Sequence, residues 1–137
     1  MSGNDSVASL DGIWRLVESR AWDENGNSLS PPYGGHPFGQ IMFGNGRMLA
    51  ALCNGDTDLG PGGNRGFSSY GGPYTFDGTT LETSVDVASD PTRIGGRQVR
   101  GVVMMGEQML LRPPSRLYAT GTTQRRELLW ERVWRPL

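Results

Sequence analysis

Of the residue types that carry covalent and metal chemistry, this 137-residue chain has very few: one cysteine and one histidine. A lone Cys53 excludes an internal disulfide and a cysteine zinc cluster, and it agrees with a reducing, cytoplasmic setting. It reads as a small buried hydrophobe at a strand end. With His36 as the single imidazole, a metal site would have to be built from carboxylates, and the acidic runs look like turn chemistry. Asp56-Thr57-Asp58 lacks the glycine and glutamate that complete a calcium loop. Gly60-Pro61-Gly62-Gly63 has neither the lysine nor the strand-to-helix setting of a phosphate loop, and no Gly-X-Ser-X-Gly elbow occurs. No metal, no cofactor and no covalent nucleophile are expected.

Charge of one sign is also missing. Thirteen basic side chains face fourteen acidic ones, and a net charge of −1 removes the electrostatic case for nucleic acid or anionic lipid as the main partner. No apolar run approaches membrane-spanning length. The opening Met1-Ser2-Gly3-Asn4-Asp5-Ser6 shows no basic n-region and no apolar core, so no secretory signal is read there. Helical periodicity is scarce too. Ser6 to Asp11 is the one stretch that suggests a turn of helix, and residues 1–9 are expected to be flexible or briefly helical.

What the chain does have is strand after strand. Its 21 glycines and 9 prolines are scattered between apolar runs without a collagen-like period, as turn punctuation would be. Strands are expected at 12–21, 40–43, 47–52, 69–76, 80–87, 97–104, 108–112 and 125–135. Asn45-Gly46, Asp77-Gly78 and Gly106-Glu107 mark tight hairpins. Asn54 to Gly66 is too long and polar for a simple turn and suits a lid or a disordered loop. Many short sequential strands favour an all-β fold, a single closed antiparallel up-and-down barrel of at least eight strands spanning residues 1–137. The ends of the chain fit such closure. In Gly12-Ile13-Trp14 the glycine lets the chain bend under the barrel floor and the indole plugs it, while Trp130 and Arg132 lie on the closing strand.

Gly12-Ile13-Trp14-Arg15-Leu16-Val17-Glu18-Ser19, Pro32-Tyr33-Gly34, Gly39-Gln40-Ile41-Met42-Phe43, Gly46-Arg47-Met48-Leu49-Ala50-Ala51-Leu52 and Leu129-Trp130-Glu131-Arg132-Val133 occur in that order. In these segments the chain resembles the bacterial and fungal lipocalin-like domain family over nearly its whole length. The resemblance implies a lipocalin-like barrel with an apolar interior. Where that family often shows histidines, this chain has Thr83 and Ser84, and an aromatic common near Arg93 is absent, so no histidine chemistry is carried over.

Alternation maps the interior. Tyr70, Gly72, Tyr74 and Phe76 share one face of their strand, as do Leu81, Thr83, Val85 and Val87 of the next. The resemblance turns Met48, Ala50 and Leu52 inward. On 97–104, hydrophobicity alone selects Val99, Gly101 and Val103 as the inner face; the resemblance selects Gln98, Arg100, Val102 and Met104. That register projects Arg100 into the barrel, where a guanidinium needs an acceptor. The expected ligand-binding residues are therefore Tyr33, Phe38, Met42, Met48, Tyr70, Tyr74, Thr83, Gln98, Arg100 and Met104. Arg125-Arg126 reads as a solvated rim.

Two function classes follow. One is a binder of a small hydrophobic, aromatic or carbonyl-bearing molecule. The other is a cofactor-free isomerase, cyclase, hydratase or lyase in which Arg100 and Tyr74 polarise the substrate and His36, or a carboxylate such as Asp86, moves a proton. A homodimer through an exposed Val99 and Val103 face is a further expectation.

Overall fold

The computed structural model describes residues 8–137, and its strands form one antiparallel sheet that closes on itself. Eight strands make the wall: β1 (Gly12–Asp23), β3 (Pro37–Gly44), β4 (Arg47–Asn54), β5 (Ser68–Phe76), β6 (Thr80–Ser84), β8 (Arg97–Met105), β9 (Gln108–Arg112) and β11 (Thr123–Trp134). Three two-residue strands are added at the rim, β2 (Ser28–Leu29), β7 (Val87–Ala88) and β10 (Arg116–Leu117). Neighbours in the wall are neighbours in sequence, and β11 pairs with β1 to seal the ring from Ile13↔Trp134 to Asp23↔Gln124. Among the described residues the helical content is a single 3-10 turn, Pro91–Arg93. Of the expected helical turn, the part before Ala8 lies outside the described residues; 8–11 are irregular.

Period-two alternation decides what is inside. Met48, Ala50 and Leu52 of β4, Tyr70 of β5, Leu81 and Thr83 of β6, Val102 of β8, Met109 and Leu111 of β9, and Trp130 of β11 are all buried. Two departures from simple alternation matter. The β1–β11 register slips between Leu16 and Glu18, so that Leu16 and then Ser19 point inward. Gly72 breaks β5 at φ 151°, and a Cβ there would meet the Ser84 carbonyl oxygen at 1.9 Å. The close crossing lets β5 pair with β6 below Gly72 and with β7 above it. For the same reason the strand expected over 80–87 stops at Ser84, and Val87, assigned to the inner face, is half-exposed. Pro37, expected in a loop, opens β3 as its first residue, a position where no ladder donor is lost from a strand interior.

The closed end is built as the termini suggest. Gly12 has φ 131°, and a Cβ would strike the Trp134 carbonyl oxygen at 2.1 Å. Trp14 is fully buried, its indole N–H donating to the Leu10 carbonyl at 2.9 Å. The Arg132 guanidinium lies 4.5 Å from the Trp14 ring centre and donates to the carbonyls of Asp11 (3.0 Å) and Ser9 (2.9 Å). Tyr74 reaches the same end, its ring edge-on to Phe43 at 5.1 Å and its hydroxyl donating to Asp11 Oδ1 at 3.2 Å. Desolvation, reinforced by the Asp11 carboxylate, pushes the Tyr74 phenol from 10.0 up to about 12.

Arg132→Met should cost about 3 kcal/mol in urea unfolding, because it strips a buried cation from its ring and two carbonyls. Arg15→Met, which removes an exposed pair with Glu131 at 2.5 Å, should cost less than about 1 kcal/mol. Tyr74 is an acid whose neutral form the fold favours, so its contribution to stability is complete below pH 10 and drains away as pH rises toward 12. Absorbance titration at 295 nm should show a late phenolate step near pH 12 that Tyr74→Phe removes.

Candidate functional site

Sealing one end with short hairpins leaves the longer connections, 24–36, 55–67, 85–96 and 113–122, at the other. There the barrel opens into a cavity of about 660 Å³. Its floor is apolar, formed by Ile41, Leu52, Leu111, Leu128 and Trp130, with Ala50 leaving room beside them. The mouth is polar, and its polar groups come from different elements. The β1 irregularity turns Ser19 inward, where its Oγ accepts the Tyr33 backbone N–H at 3.0 Å and ties the 31–36 loop to the wall. Tyr33 lines the cavity from that loop. Arg93 follows from the 3-10 turn, which Asp90 caps by accepting from the Thr92 N–H at 3.0 Å. Gln98 and Arg100 project from β8, Arg116 and Tyr118 from the last long connection, and Arg126 from β11.

The mouth groups lean on one another. Arg93 lies over the Tyr70 ring at 4.4 Å and donates to Ser68 Oγ at 3.2 Å. Arg126 and Arg116 stack on Tyr118 at 3.6 and 4.4 Å. Arg100 donates to Gln98 Oε1 at 2.7 Å and to the Val99 carbonyl at 2.9 Å. Burial pushes the Tyr33 phenol up, while Arg126, Arg93 and Arg100 pull it back down. All three cations therefore act on the one hydroxyl. Burial lowers the pKa of Arg93 and of Arg126, and the like-charged Arg100 and Arg116 beside them push the same way.

The residues named from sequence fall into three groups. Tyr33, Tyr70, Gln98 and Arg100 line the cavity together. Met48, Thr83, Met104 and Tyr74 face inward, but they pack the core beneath it rather than lining it. Phe38 and Met42 are on the outer wall, 63% and 50% exposed, a correction to their inward assignment. Gly39, Ile41 and Phe43 take the inner face of β3, opposite Leu52, Ala50 and Met48, and leave the even-numbered positions outside. His36 is also outside. Its ring is 85% exposed and its Nδ1 sits 3.2 Å from Asp56 Oδ1, which also accepts the His36 backbone N–H at 2.8 Å. Asp86 is on the surface, paired with Arg47 at 2.6 Å. Arg100, Tyr74 and His36 thus occupy three separate places.

The loop from Asn54 to Gly66 is pinned at its base and lies off the cavity. Arg65 donates to the carbonyls of Asn54 and Asp56, both at 2.9 Å, and none of residues 54–66 lines the cavity. Arg93, Arg116 and Arg126 are among the cavity residues that were missed. Arg126, read as rim, shares its strand face with Leu128, Trp130 and Arg132, so alternation back from the buried Trp130 would have found it. Arg93 and Arg116 sit where no period runs, and nothing in the sequence marks them.

No metal-binding cluster of His, Cys, Asp or Glu occurs among the described residues, and none of their helices is long and apolar enough to cross a membrane. The sequence model of the lipocalin-like domain matches residues 63–133. A crystal structure of an uncharacterized protein from Bacteroides eggerthii is similar at 11% identity and a TM-score of 0.46, over 90% of this chain and 99% of that one. No curated protein matches. The match over residues 63–133, which runs from the connection before β5 through most of the closing strand, assigns the chain to the lipocalin-like domain family.

Proposed function

We propose that the protein binds a small, largely apolar molecule in the looped end of its barrel. The cavity carries this reading: about 660 Å³, with an apolar floor and convergent polar groups at its mouth. Small-molecule sites typically span roughly 300–1,000 Å³ and share that division between apolar body and polar anchor. An eight-strand barrel can be filled by its own side chains. Here Trp14, Phe43, Met48, Tyr74 and Met109 fill the closed half, while small or short residues such as Ala50 and Ser68 leave space in the other.

Binding is favoured over cofactor-free catalysis by where proton-transfer groups lie. His36 and Asp86 are on the outside, and Asp90, the carboxylate of the cavity lining, is engaged by Thr92, whose hydroxyl donates to it at 2.6 Å. Arg100 retains the position from which it can orient a carbonyl or an anion. A reducing cytoplasmic setting belongs to the same reading, supported by the free, buried Cys53.

The test is uptake of the neutral fluorophore N-phenyl-1-naphthylamine. Saturable, blue-shifted emission is expected from the native protein. Ala50→Phe, which fills the cavity from β4 and costs about 1–3 kcal/mol of stability, should weaken uptake at least tenfold while thermal unfolding stays cooperative. Uptake unchanged in the filled variant would mean that the probe sits elsewhere, and the reading would fail.

A further inference from the structure

We propose that the occupant of this cavity is an amphipathic oxyanion, its carboxylate, sulfonate or phosphate held among Arg93, Arg100, Arg116 and Arg126 and its apolar body on the floor of Leu52, Leu111 and Trp130. The proposal rests on the reading that the interior holds a ligand and goes on to its charge.

Most arginines away from the mouth are matched to carboxylates, Arg15 to Glu131 at 2.5 Å, Arg47 to Asp86 at 2.6 Å and Arg112 to Glu127 at 2.6 Å among them, and Arg97, at the cavity's edge, pairs with Glu82 at 2.8 Å. The four at the mouth are not. Among the described residues Arg93 bonds a serine hydroxyl, Arg100 a glutamine and a carbonyl, Arg126 the Gln124 amide oxygen at 3.1 Å, and Arg116 lies on the Tyr118 ring. Each of these partners is neutral. The nearest carboxylate of the lining, Asp90, already accepts from the Thr92 N–H and hydroxyl. In a protein whose total charge is −1, positive charge has been gathered where solvent is partly excluded. Such charges repel one another and lose hydration, a cost that an incoming anion relieves.

The choice of cation sharpens the argument. All 13 basic side chains are arginine, whose planar fork bonds oxyanions bidentately and stacks on aromatic faces. The second habit is present here: Arg93 lies over Tyr70 and Arg116 and Arg126 over Tyr118, which leaves N–H edges for a ligand, and Tyr33 lines the same cavity with a neutral hydroxyl.

A matched pair of probes isolates the charge. 8-Anilinonaphthalene-1-sulfonate differs from N-phenyl-1-naphthylamine by one sulfonate. The sulfonate probe should bind about tenfold or more tightly than its neutral parent, and its affinity should fall as sodium chloride is raised. Arg100→Gln and Arg126→Gln should each lower the ratio of sulfonate to neutral affinity about tenfold, while thermal unfolding that stays cooperative reports that the variants are folded. Arg125→Gln removes the neighbouring guanidinium, which stacks on Trp22 outside the wall at 4.5 Å, and should change neither probe. Equal or tighter binding of the neutral probe, or a sulfonate affinity indifferent to both salt and the two substitutions, would overturn the anion while leaving the binding cavity standing. Failure of both probes to bind would remove the cavity reading together with the proposal.

Discussion

Arg132 holds together parts of the chain that are 121 residues apart: its guanidinium lies over the Trp14 ring and its N–H groups donate to the carbonyls of Ser9 and Asp11. A strand sheet of this twist has two free edges, and closing it requires that the first and last strands meet in register with no bulky atom between them. Gly12 supplies the clearance at the Trp134 carbonyl, and the cation then covers the indole that plugs the floor. Once that end is sealed, the remaining geometry follows. Tight hairpins crowd around the seal, so the long connections and the unfilled volume are displaced to the far end. The position of the cavity is a consequence of where the barrel closes.

Charge is sorted by the same wall. Arg125 and Arg126 are adjacent, yet one stacks on Trp22 outside and the other on Tyr118 at the cavity mouth, because successive side chains of a strand face opposite ways. Outside, most arginines meet carboxylates in water, where pairs contribute little. Inside, they meet aromatic rings and amides. The distinction gives the interior an electrostatic character that a composition balanced to −1 conceals.

Much of this was legible in the residues. Alternation on β5 and β6 places Tyr70, Leu81 and Thr83 inside, since each of those strands is apolar on one face and polar or small on the other, whereas on β4, with Leu49 on the outer face, it was the family resemblance that turned Met48 inward. Arg100 was legible only through the family resemblance, because Val99 and Val103 make the opposite, half-exposed face the more hydrophobic one. β3 was misread for a related reason. Ile41, Met42 and Phe43 are consecutive and apolar, so no alternation exists to separate faces, and it is pairing with β4 that decides. The cavity residues on loops, Arg93 and Arg116, owe their positions to the path of the 85–96 and 113–122 connections, which is a property of packing rather than of local pattern.

The seam between β1 and β11 also bears on how the chain reaches this state. Every other wall pairing joins strands that are close in sequence and can form as local hairpins, whereas this one must close a loop of more than a hundred residues. Loop-closure entropy places such a pairing late in assembly. Until Thr123–Trp134 has emerged from the ribosome and docked, β1 and β9 are both open edges with unpaired backbone donors and acceptors. The nascent protein is therefore most vulnerable to edge-to-edge association just before its last strand arrives.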